Sequence, residues 1–179
     1  MIAYIAQQNT AVVDTHVHAG TTKYEPIESL LDQMSRHGVD HAVLIQHMGM
    51  FDNDYLIACA EAHPGRFAIA CLVDVNVPGA AARLDALVER HRSVQGIRLY
   101  LADLFAGVPE ARALWDRADA LGLNITVAGT LAQLASDEMQ TTARLYTRAR
   151  LHLEHLCQDR KSTRLNSSHV SESRMPSSA

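Results

Sequence analysis

The chain has 179 residues, 47% of them hydrophobic and 20% charged, with a formal net charge of −4. That length and balance suit one globular domain with a real core, and without a basic cluster neither nucleic acid nor an anionic membrane surface is expected as a partner. The apolar runs are too short for a membrane span, no basic start precedes an apolar N-terminal core, and three scattered cysteines (Cys59, Cys71, Cys157) suit a reducing cytoplasm better than a disulfide framework.

Strand-like and helix-like segments alternate along the chain. Residues 12–17 are an apolar, β-branched run and read as a strand. Residues 27–36 read as an amphipathic helix, entered after Pro26 and stopped by Gly38. The apolar stretch 41–46 is a second strand, 54–63 a helix stopped by Pro64-Gly65, and 67–73 a third strand. A helix over 80–91, a strand over 95–99, a helix over 109–121 ended by Gly122, and a strand over 124–128 follow. Residues 131–148 read as mostly helix and 151–155 as a sixth strand. Cys71 reads as a small core residue and Trp115 as helix packing. His37, His63 and His91 follow helical patterns and read as surface residues.

Nearly continuous apolar strands imply burial on both faces and hence a parallel sheet, and parallel strands joined by helices give an α/β sheet or a (β/α)8 barrel. Polar residues gather where the strands end: His16, His18, His47, Asp74, Tyr100 and His155. In barrels that side carries the chemistry. An open doubly wound sheet would need a glycine-rich phosphate loop after the first strand, and Ala19-Gly20-Thr21-Thr22 is a poor one. Residues 1–160 therefore read as a partial barrel of about six of eight βα units. Residues 161–179 are Ser-rich and aperiodic; they read as a disordered tail or, because they resemble translated adapter sequence, as a non-native one.

The first strand carries the sharpest chemical signal. In a strand, residues i and i+2 share a face. His16 and His18 therefore point the same way, with Asp14 one step below. Two neighbouring neutral imidazoles are a natural half of a zinc-type site. Asp14 is either the partner that orients a ligand or a plain buried hydrogen-bonding group. Arg98, in phase with Tyr100, either clamps a substrate carboxylate or pairs with an acid on a neighbouring strand. His47 either faces the strand-end mouth or is a loop histidine.

The run Val13-Asp14-Thr15-His16-Val17-His18 resembles the first-strand motif of the amidohydrolase superfamily. The chain is similar to its amidohydrolase-related (amidohydrolase 2) branch, which includes lactonases and non-oxidative decarboxylases. Gly38-Val39-Asp40-His41-Ala42-Val43, His63-Pro64-Gly65-Arg66-Phe67, Gln95-Gly96-Ile97-Arg98-Leu99 and Leu153-Glu154-His155-Leu156 carry the resemblance onward. It implies a (β/α)8 barrel with one or two divalent metals held by His16, His18 and His155, zinc before manganese, although metal-independent variants exist. It further implies hydrolysis of a lactone, amide or ester of a small carboxylated molecule by metal-activated water. A decarboxylase of the same fold and a non-catalytic barrel remnant are the alternatives. Substrate contacts fall to Arg98, Tyr100 and His47, and the full-length parent is a candidate oligomer.

Two departures stand out. Many members of the family place a histidine at the end of the fifth strand, where this chain reads Val127-Ala128-Gly129-Thr130. The aspartate that members carry on an eighth strand has no counterpart, so the chain reads as a C-terminally truncated, inactive fragment with exposed edges.

Overall fold

The computed structural model describes residues 10–154. Thirteen elements follow in order: β1 (Val13–Val17), α1 (Ile27–His37), β2 (His41–Ile45), α2 (Asp54–Ala62), β3 (Phe67–Cys71), α3 (Ala80–Arg90), β4 (Val94–Tyr100), α4 (Leu101–Phe105), α5 (Pro109–Leu121), β5 (Asn124–Ala128), α6 (Leu131–Leu134), α7 (Asp137–Leu145) and β6 (Arg150–Leu153). The strands follow one another in the sheet in sequence order, β1 to β6. The pairs β1–β2, β2–β3, β3–β4 and β5–β6 are parallel.

The chain divides into two compact units. One comprises the described residues through Asp74 together with Arg83–Ile97, the other Val75–Ala82 together with those from Arg98 onward. In the first, α1 is bounded by local chemistry. Pro26 precedes it, Glu28 lies in its first turn and Arg36 and His37 in its last, complementing the helix dipole. Gly38 closes it at φ 65°, a left-handed conformation that an L side chain resists, with its N–H donating to the Met34 carbonyl. Leu44, Ile69 and Cys71 are fully buried on β2 and β3. In the second unit, α5 starts at Pro109, turns Leu114, Trp115 and Ala118 into the core and ends at Gly122, φ 67°. The Tyr146 hydroxyl ties α5 to the residue after α7. It donates to Asp116 Oδ1 at 2.8 Å and accepts from Arg112 at 2.9 Å.

The sequence expectations differ from this structure in three places. Helix α4 was not expected: Leu-Ala-Asp-Leu-Phe is too short to show a period, yet Leu101 and Leu104 are buried one turn apart. The expected helix over 131–148 is two helices, because the Ser136 hydroxyl caps α7 by accepting from the Met139 N–H at 3.2 Å and interrupts the run. Burial on both faces holds for β2 to β5 but not for β1 and β6, where Val13 is 48% and Leu153 49% exposed. These two strands come first and last in the strand order, so each has one neighbour among the described residues. The tail over 161–179 lies outside the described residues.

Candidate functional site

The candidate site of the first unit grows from the C-terminal ends of β1 and β2. Their register pairs Asp14 with Ala42 but Val17 with Leu44, so β1 carries one extra residue between these points. Such a bulge interrupts strict alternation and re-aims side chains. Asp14 is exposed, and its Oδ1 accepts from the main-chain N–H of His16 at 3.1 Å. Its recorded contact is thus with the backbone of one histidine rather than with a ring.

His16 and His18 are both half-buried, with ring centroids 5.0 Å apart and planes at 89°. Nδ1 of His18 lies 2.7 Å from the Ile45 carbonyl. A carbonyl only accepts, so Nδ1 carries the proton and the Nε2 lone pair is left facing outward from that bond. Tyr24, on the segment between β1 and α1, stacks on the His18 ring at 4.6 Å and 23°. His47, two residues past β2, stands edge-on to His18 at 6.1 Å and 5.4 Å from Tyr24. Lys23 Nζ is 2.6 Å from His47 Nε2. The bend that presents His47 is fixed by Gln46, whose Oε1 accepts the His47 N–H at 2.8 Å and whose Nε2 donates to the Asp52 carbonyl at 2.5 Å. Sequence reasoning named His47 but missed Lys23 and Tyr24, which have no motif; only folding brings them to His18 and His47.

The second unit holds Arg98 and Tyr100. Arg98 is buried, and its Nη2 donates to Glu154 Oε2 at 2.5 Å. Its guanidinium carbon lies 5.5 Å from the Tyr100 ring centroid. Arg98 thus meets an internal acid, one of the two arrangements that the sequence left open. At the end of β5, a Cβ on Gly129 would lie 2.8 Å from Leu101 Cδ1 and 3.3 Å from Gln133 Oε1. Leu101 of α4 thus fills the space at the end of β5. His155 lies outside the described residues.

A divalent metal can be tested against these side chains. The His16–His18 pair has suitable chemistry: two imidazoles, one with its proton fixed on the nitrogen that turns away. Among the described residues no three His, Cys, Asp or Glu side chains converge to complete a cage. The donors fit half of a site.

A family model described as amidohydrolase matches residues 13–175, nearly the whole chain. The chain belongs to the amidohydrolase family. Among solved structures it is similar to a probable 2-pyrone-4,6-dicarboxylic acid hydrolase of Acinetobacter baumannii, crystallised with citric acid. The identity is 17% and the TM-score 0.64, over 80% of this chain and 58% of that one. An amidohydrolase of Burkholderia multivorans with bound HEPES matches at 18% and 0.67, over 88% and 63%. The 2,6-dihydroxybenzoate decarboxylase of Rhizobium matches at 14% and 0.61, over 93% and 73%. At such identities the likeness is one of fold: an α/β chain of the (β/α)8 amidohydrolase type, with six of the eight barrel strands among the described residues. The chain spans under two thirds of the length of the first two of these relatives. No curated protein matches it. Members of the family generally use divalent metals and act on small molecules. No helix among the described residues is long and apolar enough to cross a membrane.

Proposed function

We propose that this chain belongs to a metal-dependent hydrolase that cleaves a lactone, amide or ester of a small carboxylated molecule. Family membership supports the class. The observation that carries the reading is the imidazole pair at the β1 end, with the His18 proton fixed by the Ile45 carbonyl. His16 and His18 hold the cation; His155, the third ligand by the resemblance, lies outside the described residues. Zinc suits imidazole donors best, with manganese as the substitute. When bound, the cation supplies Lewis acidity that polarises a carbonyl and lowers the pKa of water. The chain's own residues do the positioning: Tyr24 stacks on His18 and keeps its plane, Asp14 holds the backbone of His16, and His47 lines the approach. Arg98 and Tyr100 are proposed to contact substrate, in which case a substrate carboxylate competes with Glu154 for the guanidinium. Free Cys59 and Cys71 agree with a cytoplasmic location.

The test is metal content and affinity. Purified protein takes up zinc, measured by mass spectrometry of the metal and by titration calorimetry. His16→Ala and His18→Ala each lower that affinity about tenfold or more while far-ultraviolet circular dichroism stays unchanged. Wild-type protein that takes up no metal sinks the reading. The second reading is non-oxidative decarboxylation, the activity named for the Rhizobium enzyme that shares the fold. Carbon dioxide release from a hydroxybenzoate, set against ring opening of a pyrone lactone, separates the two.

A further inference from the structure

Past β2 the chain reads His47-Met48-Gly49-Met50-Phe51, and Met48 and Met50 are 61% and 39% exposed. Methionine is among the residue types most often buried, and the other two methionines of the described residues, Met34 and Met139, follow that rule. The backbone brings the exposed pair together with His47. The Met50 N–H donates to the His47 carbonyl at 3.0 Å, and Gly49 stands at φ 81°, the left-handed value that the third residue of a type II turn takes. Such a turn sets its first and fourth Cα atoms within about 7 Å of each other. His47, Met48 and Met50 are its first, second and fourth residues, and an unbranched methionine with three rotatable bonds spans that distance.

Two buried amides brace the base of the turn. Gln46 holds the His47 N–H and the Asp52 carbonyl. Asn53 donates to the Phe51 carbonyl at 3.1 Å and exchanges hydrogen bonds with the Leu72 backbone at 3.0 Å in each direction. A braced backbone loses little freedom when its side chains gather on a ligand. The donors are of one kind. Thioether sulfur with imidazole suits copper(I), whereas zinc takes thiolate, imidazole or carboxylate, and magnesium and calcium take oxygen. Residues 47–51 carry no carboxylate or hydroxyl, and Oδ1 of the next residue, Asp52, accepts from the Asp54 N–H at 2.9 Å. We propose that His47, Met48 and Met50 form a site for a soft monovalent cation of the copper(I) class. His47 Nε2, 2.6 Å from Lys23 Nζ, gives its lone pair to the cation, and the Lys23 ammonium returns to water. No cation at His16 and His18 is needed.

Silver(I), a redox-inert stand-in for copper(I), is the probe. The full chain carries carbon-13 on its six methionine methyls, and Cys157→Ser removes the thiol outside the described residues; Cys59 and Cys71 are buried. Silver nitrate is titrated in without chloride, and the methyl resonances are assigned by Met→Leu variants. The methyls of Met48 and Met50 shift together and saturate at one equivalent, those of Met34 and Met139 stay in place, and zinc moves none of them. His47→Gln and Met48→Leu each weaken silver binding about tenfold or more, with far-ultraviolet circular dichroism unchanged. Unmoved Met48 and Met50 methyls, movement of Met1 and Met175 at the same silver concentrations, or unchanged affinity in either variant overturns the proposal.

Discussion

Arg98 and Glu154 are each under a tenth exposed, and one short hydrogen bond joins them. A buried ion pair gains little over a well-packed apolar pair, but removing one member leaves an uncompensated charge. Glu154→Gln is therefore expected to lower unfolding stability by about 3–5 kcal/mol in urea titrations. The double variant Arg98→Met/Glu154→Met recovers most of that loss. A single variant within about 1 kcal/mol of wild type would mean that the pair is not desolvated as the structure has it. At this scale the site was only partly legible in the sequence. His16 and His18 announce themselves because their spacing is local. The contact of Asp14 with the His16 backbone depends on a bulge that spacing does not reveal, and the meeting of Lys23 with His47 depends on the whole of β1, α1 and β2 being in place.

Helix α4 packs against the end of β5 in the second unit. Its Leu101 is fully buried and occupies the space above Gly129, at the end of β5. Gly129→Ala is expected to cost about 1–3 kcal/mol by overpacking. Leu101→Ala combined with Gly129→Ala is expected to be less destabilised than the sum of the single variants, because the added methyl then has room. Strict additivity in that cycle would remove Leu101 as the cause. Element boundaries were legible where their chemistry is local: Gly38 and Gly122 end α1 and α5, and Pro109 begins α5. The split between α6 and α7 turns on one hydroxyl. The Thr130–Gln133 capping box and the Ser136 cap open two helices where hydrophobic periodicity shows one run. Helix α4 itself is legible only through burial, which is a property of the fold and not of the five residues.

For the whole molecule, Cys71 links the core to alkaline stability. It is fully buried on β3, and burial pushes its thiol from the ordinary 9.0 up to about 12. The folded protein thus holds this proton more tightly than the unfolded chain does. That contribution is complete below about pH 9 and is lost as pH rises through about 12, so stability falls across this window. Denaturant midpoints measured from pH 8 to 11 should decline, and less steeply in Cys71→Ala; iodoacetamide should label Cys71 at pH 8 only after unfolding. Equal slopes in the two proteins would assign the decline to other groups. The alternation of strands and helices was plain from the sequence. The exposure of β1 and β6 was not, because an apolar run such as that of β1 reads alike in a central strand and in one with a single described neighbour.

The atom that aims His18 is a peptide oxygen, that of Ile45 on the adjacent strand. No side-chain replacement at position 45 can delete it. The aim of the imidazole is inherited from how β1 slides against β2, and the extra residue between Asp14 and Val17 is part of that offset. The site is therefore robust to point substitution around the ring and fragile to length. Removing one residue from that stretch would straighten the strand and turn His18 away from the Ile45 oxygen, with both histidines still present in the sequence.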